Sequence, residues 1–151
     1  MHDNIKICLI SSHGGHLREL LDATENVVGK KYYVTHKTRH TADILRNYDH
    51  YFILDPHTSL LKYIINVFQS LYHILRERPD VVISTGAGIA IPTLFICKYL
   101  LKSKIIFIES AANVINPTKT GMLMYPRSDL FLIQWQELKS FYPNAQYIGL
   151  V

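Results

Sequence analysis

Ile5-Lys-Ile-Cys-Leu-Ile10, leading directly into Ser11-Ser-His-Gly-Gly-His16 and Leu17-Arg-Glu-Leu-Leu-Asp-Ala23, decides the fold. The first stretch is apolar and rich in isoleucine, and it reads as a buried strand. The last reads as the start of a helix. Between them, adjacent glycines let the backbone come close to a ligand, because no Cβ blocks the approach. The helix that follows offers unpaired N–H groups and a positive dipole end, which favour an anion such as phosphate. A tight turn into a helix needs the same Gly14-Gly15 pair, so the glycines alone leave both readings open. The flanking His13 and His16 supply imidazoles that donate hydrogen bonds or move a proton.

Outward from this stretch, short apolar runs alternate with longer helical patterns. Strands are expected at Ile5–Ile10, Lys31–Thr35, His50–Ile53, Val81–Ser84, Ile105–Ile108, Leu130–Ile133 and Gln146–Ile148. Helices are expected at His16–Val28, Ala42–Tyr48, Ser59–Arg78, Ile89–Leu101, Thr118–Tyr125 and Gln136–Phe141. Such alternation with buried, β-branched strands predicts an α/β fold, a doubly wound, Rossmann-like parallel sheet covered on both faces. The chain reads as one domain over residues 1–151.

In an open α/β sheet, ligands bind outside the carboxyl ends of the strands. Three unusual segments fall at such ends: Ser11–His16, Thr85-Gly86-Ala87-Gly88, and Glu109-Ser110. Parallel strands would bring all three to one rim. The second segment admits a phosphate or sugar, or else its glycines serve close helix–sheet packing. Glu109 is placed to hold a substrate hydroxyl or act as a general base, or else to cap the next helix.

Helix 59–78 is unusual in composition. On a helical projection Ser59, Lys62, Asn66, Gln69, Ser70, His73, Arg76 and Glu77 share an arc of roughly 120°, at ~100° per residue. The remaining arc carries Leu60, Leu61, Tyr63, Ile64, Ile65, Val67, Phe68, Leu71, Tyr72, Ile74 and Leu75. That exceeds what one sheet face covers. A lipid surface, a partner protein, or burial under neighbouring helices would account for it.

Bulk properties bound the function. Hydrophobic residues make up 48% and charged residues 19% of the 151 residues, which excludes disorder. A net charge of +4 with eight histidines suits an anionic partner. Cys8 and Cys97 lie in apolar runs and read as small core residues. No run of 18 apolar residues offers a membrane span, and the polar start at Met1–Asn4 does not read as a signal peptide, so a cytoplasmic protein is expected. His13/His16 and His36/His40 lack the carboxylate or cysteine partners of a zinc site, so no metal is expected. Lys30, Lys31, Lys37 and Arg39 come without an aromatic-studded strand or recognition helix and do not mark a nucleic-acid site. A dinucleotide enzyme would carry an acidic residue ~20 positions past the first glycine loop; that region is basic here.

Taken together, Ser11–Leu20, Pro79–Gly88 with Pro92, Ile108–Ser110, Pro117–Gly121 and Asp129–Trp135 resemble one family over essentially the whole chain. It is the accessory, membrane-associated subunit of split GT-B glycosyltransferases. Its eukaryotic member anchors the second N-acetylglucosamine transferase of lipid-linked oligosaccharide synthesis; bacterial members serve capsule and exopolysaccharide assembly. The family is similar to the amino-terminal, acceptor-binding half of the peptidoglycan GlcNAc transferase.

The resemblance implies a subunit inactive alone. It would bind a polyprenyl-diphosphate sugar acceptor and recruit a catalytic partner, which holds the UDP-sugar, to the inner face of the cell membrane. The acceptor diphosphate is expected at Ser12, His13, Gly14, Gly15 and His16 and at Thr85, Gly86 and Gly88. The acceptor sugar is expected near Glu109, Ser110 and Asn113, with His16 or Glu109 as catalytic base and no cofactor. Bacterial members usually carry Arg where this chain has Asn113. A pure membrane scaffold, or a stand-alone enzyme on a soluble sugar phosphate, are the competing readings.

Overall fold

The computed structural model describes residues 4–151. Its strands are β1 (Lys6–Ile10), β2 (Lys30–Thr35), β3 (His50–Phe52), β4 (Val81–Ser84), β5 (Lys104–Ile108), β6 (Leu130–Ile133) and β7 (Gln146–Tyr147). The helices are α1 (Gly15–Ala23), α2 (Arg39–Ile44), α3 (Leu60–Glu77), α4 (Ile91–Phe95) and α5 (Lys119–Met124). All strands join one parallel sheet in the order β3-β2-β1-β4-β5-β6-β7. Each expected strand is present, with bounds shifted by at most one residue. Side chains alternate across the sheet, as a period of two requires. Ile7 and Leu9 of β1 meet Leu17 and Leu20 of α1 and Leu45 after α2, whereas Cys8 and Ile10 meet the opposite layer with Ile74, Leu94 and Met124. Cys8 and Cys97 are both buried and free, and burial pushes the Cys8 thiol up to about 12.

The helices depart from expectation where polar side chains intervene. α1 ends at Ala23, short of Val28, because the Thr24 hydroxyl donates to the Leu20 carbonyl at 2.6 Å and closes the helix. α2 starts earlier than Ala42: Thr38 and Thr41 cap each other's backbone reciprocally, fixing the first turn at Arg39. The stretch expected as one helix over Ile89–Leu101 divides into a 3₁₀ turn at Gly88–Ala90, α4, and a π-helical turn at Ile96–Leu101. Gln136–Ser140 is a 3₁₀ helix.

α3 is inverted relative to an ordinary amphipathic helix. Asn66, Gln69 and Ser70 of its polar arc face the protein, whereas most of its apolar arc, Ile74 excepted, faces out. Asn66 and Ser70 are buried, at 0% and 1% exposure, whereas Leu60, Leu61 and Phe68 are 75%, 68% and 67% exposed. Buried polar groups need partners, and here they form a ladder. Asn66 Nδ2 donates to the Leu54 carbonyl at 2.7 Å, Ser70 Oγ donates to Asn66 Oδ1 at 3.2 Å, and Thr93 Oγ1 of α4 donates to Ser70 Oγ at 2.9 Å. Gln69 Oε1 accepts from the Leu54 amide at 2.8 Å. Among the described residues, no neighbouring helix covers Leu60, Leu61 or Phe68 of the apolar arc. Among the described residues no helix is long and apolar enough to cross a membrane.

Candidate functional site

Strand order reverses between β1 and β4, whose following helices cover opposite faces of the sheet, and a crevice opens at their carboxyl ends. The loop after β1 turns at Gly14, which has φ +76°. A Cβ added at Gly14 or Gly15 would meet nothing within 4 Å, so these glycines leave open space and do not serve packing. No side chain caps α1, and its first turn holds no acidic residue, so its N-terminal amides stay available to an anion. The loop after β4 differs. Gly86 has φ +99°, and a Cβ there would lie 3.2 Å from Phe107 Cζ, so Gly86 answers to packing as well as to backbone. Ala87 next to it holds φ +73°, a strained value for a residue with a Cβ. Thr85 ties the two loops together: its hydroxyl donates to the His16 carbonyl at 2.8 Å.

Pockets open on either side of Gly14. One, of about 490 Å³, is lined by Gly15, His16, Glu19, Ser110, Ala111 and Val151, among others. The other, of about 330 Å³, is lined by Ser12, His13, Gly88 and, from the loop before α3, Asp55, Pro56 and His57. The His13 ring lies 5.7 Å from that of His36. The rim therefore gathers Ser12, His13, Gly14, Gly15, His16, Thr85, Gly86, Gly88 and Ser110, as the parallel topology required.

Two expected site residues are placed otherwise. Glu109, expected as a base or sugar contact, is 1% exposed and turns its carboxylate inward. Oε1 accepts from Thr118 Oγ1 at 2.7 Å and from the Ser110 amide at 3.1 Å. Oε2 accepts from Tyr142 Oη at 2.6 Å and the Thr118 amide at 3.3 Å. Thr118 is the N-cap of α5, so Glu109 anchors the start of that helix, with no lone pair facing the crevice. A Cβ on Gly121 would lie 1.9 Å from Glu109 Oε2, which explains the glycine inside α5. Burial, then the hydrogen bond to Glu109, pushes the Tyr142 phenol well above its usual range. Asn113, expected near the acceptor sugar, closes its own turn by donating from Nδ2 to the Asn116 carbonyl at 3.3 Å, and it lines neither pocket. Sequence reading missed Glu19, Gln134 and Trp135, which support the His16 side of the crevice. Trp135 Nε1 donates to the Ala111 carbonyl at 2.7 Å. The i, i+3 spacing of His16 and Glu19 on one helix was the available signal. Among the described residues, no three His, Cys, Asp or Glu side chains are grouped to hold a metal.

A parallel sheet with glycine-turn loops gathered at its switch point defines a doubly wound, Rossmann-like fold. MurG of Acinetobacter baumannii superposes with a TM-score of 0.74 at 13% identity, covering 97% of this chain and 45% of that one. UDP-N-acetylglucosamine 2-epimerase from Rickettsia bellii superposes with a TM-score of 0.73 at 11% identity. At these identities the likeness is one of fold. The chain belongs to the family described as "Oligosaccharide biosynthesis protein Alg14 like", which matches residues 55–151. Human UDP-N-acetylglucosamine transferase subunit ALG14 is 26% identical over 185 aligned positions, covering 99% of this chain and 84% of the human protein. The subunit of the same name from Debaryomyces hansenii is 33% identical over 98 positions, covering 62% of this chain. The chain spans only 42% of that fungal protein.

Proposed function

We propose that this chain is the acceptor-binding, membrane-facing half of a two-chain glycosyltransferase. A second polypeptide holds the UDP-sugar, and the acceptor is a polyprenyl-diphosphate-linked sugar used in lipid-linked oligosaccharide, capsule or exopolysaccharide assembly. One observation carries this reading: an open glycine turn at an uncapped helix N-terminus lies between two pockets, one lined by Ser12, His13 and His57 and the other by His16, Glu19 and Ser110. In support, relatives are named as subunits of a UDP-N-acetylglucosamine transferase, and the fold is that of under half of the MurG chain.

The diphosphate sits against Ser12, His13, Gly14, Gly15 and the Thr85–Gly88 loop, where backbone amides and the α1 dipole offset its charge. The loop Asp55–His57 lines the same pocket and runs into α3, whose outward Leu60, Leu61, Ile64 and Phe68 continue away from it. The polyprenyl tail leaves along that face into the inner leaflet of the cell membrane, which makes the protein peripheral on the cytoplasmic side. On the other side of Gly14, His16 is the base. Its imidazole takes the acceptor hydroxyl proton as that oxygen bonds to the anomeric carbon, and UDP departs with the electron pair of the broken bond. Such a base contributes on the order of 10²–10⁴ in rate.

The test is reconstitution of this chain with its donor-binding partner on a defined polyprenyl-diphosphate sugar. The complex should transfer sugar and the isolated chain should not. His16→Ala should lower turnover by on the order of 10²-fold or more while partner binding persists. Transfer by the isolated chain would overturn the two-chain reading, and wild-type turnover in His16→Ala would remove the imidazole from the mechanism. Failure to bind a diphosphate-lipid analogue would leave only a membrane scaffold.

A further inference from the structure

Glu19 is a buried carboxylate, 9% exposed, at the centre of a network that nothing in the proposed chemistry uses. Its Oε1 accepts from the Ala111 amide at 2.7 Å and from Gln134 Nε2. Gln134 is itself 1% exposed and fixed at both ends of its amide. Its Nε2 also donates to the Glu109 carbonyl at 3.0 Å, and its Oε1 accepts from the Val151 amide at 3.0 Å. Glu19 therefore cannot turn: one oxygen is held by two donors, and the other, Oε2, faces His16 Nδ1 at 3.8 Å.

On the other side of that gap, Nδ1 of His16 is buried and makes no hydrogen bond, although the side chain as a whole is 32% exposed. Its exposure thus falls on the opposite ring edge, which carries Nε2 and lines the larger pocket. A buried, unpartnered nitrogen has a strong preference for the nearest acceptor. The distance exceeds a hydrogen bond, as catalytic contacts often do before substrate arrives, and a small ring rotation closes it. Arg18 and Asp22, which share the pocket, pair with each other at 3.1 Å and compete for neither group.

We propose that Glu19 is the positioning residue of His16. It accepts from Nδ1–H, fixes the neutral tautomer protonated at Nδ1, and leaves the Nε2 lone pair directed into the pocket. A base needs that lone pair, so the inference deepens the reading of His16 as the base and rests on it for its purpose. The tautomer itself does not depend on any activity.

Glu19→Gln gives a sharp test because the network dictates how the amide sits. Two donors, the Ala111 amide and Gln134 Nε2, meet the Oε1 position, so the Gln carbonyl oxygen must occupy it. Its NH₂ then faces His16 and donates to Nδ1, which forces the proton onto Nε2. Two-bond ¹H–¹⁵N correlation spectra of the full chain, with histidine nitrogens labelled and the rings neutral, read this directly. His16 is assigned by the signals lost in His16→Asn. The wild type should show Nδ1 protonated, and Glu19→Gln should show Nε2 protonated while the other seven histidines keep their signals. In the reconstituted complex the same change should lower kcat by on the order of 10²-fold with little effect on KM.

A wild-type His16 protonated at Nε2 would overturn the proposal, even if Glu19→Gln failed to fold. So would an unchanged tautomer in a folded Glu19→Gln protein. If the tautomer behaves as expected but His16→Ala keeps full turnover, positioning stands and the base role falls.

Discussion

Tyr142 Oη donates to Glu109 Oε2 at 2.6 Å, joining the segment before β7 to the end of β5 beneath the start of α5. This contact holds one oxygen of a buried carboxylate that also receives the Thr118 and Ser110 amides. Tyr142→Phe removes the donor and leaves the charge short of a partner inside the protein. A loss of about 1–3 kcal/mol is expected, read as a lower midpoint of chemical denaturation. An unchanged midpoint would mean that Glu109 does not depend on this phenol.

The inverted α3 separates stability from surface binding on a single helix. Leu61→Ser with Phe68→Ser alters two exposed side chains and should shift stability by no more than about 0.5 kcal/mol each. The same double change should sharply reduce co-sedimentation with anionic vesicles. Asn66→Ala strips the Leu54 carbonyl and the Ser70 hydroxyl of their partner and should cost about 1–3 kcal/mol. Undiminished vesicle binding by the double variant would remove α3 as the lipid contact.

His73 makes the docking of α3 sensitive to acid. Its ring stacks on Tyr51 at 4.4 Å, its Nδ1 is buried without a partner, and Tyr51 in turn donates to Glu77. Burial, then the neighbouring Arg76, holds its pKa below the usual value of 6.5, against a smaller opposing pull from Glu77. The unfolded chain therefore binds this proton first as pH falls. Stability from this group is intact well above pH 6.5 and declines as pH drops through and below it. Denaturation midpoints from pH 8 to 5 should fall less steeply in His73→Phe than in the parent; identical slopes would show that His73 carries none of the acid sensitivity.

Much of this architecture was legible in the sequence. Buried strands announce themselves as short β-branched runs, and Ile5–Ile10 or Ile105–Ile108 have no other economical reading. Parallel pairing then follows from the intervening helices, and the carboxyl-end rule brings Ser11–His16 and Thr85–Gly88 to one rim. Helix bounds were less legible, because single hydroxyls such as Thr24 and Thr38 set them. Periodicity cannot weigh one hydrogen bond.

Which side of an element faces the protein, and what a polar residue does there, belonged to the tertiary structure. The projection of α3 separated its polar and apolar arcs, yet only packing revealed that Asn66 and Ser70 point inward. A carboxylate at the end of a strand reads the same whether it faces a crevice or a helix start. Glu109 turned inward because Thr118 and Tyr142, nine and 33 residues away in the chain, converge on it. Glu19 acquired its setting in the same way, from Ala111 and Gln134, 92 and 115 residues distant. The sequence determines the pattern of elements because hydrophobic periodicity is local. The role of a buried charge is decided by donors that only the folded chain brings within reach.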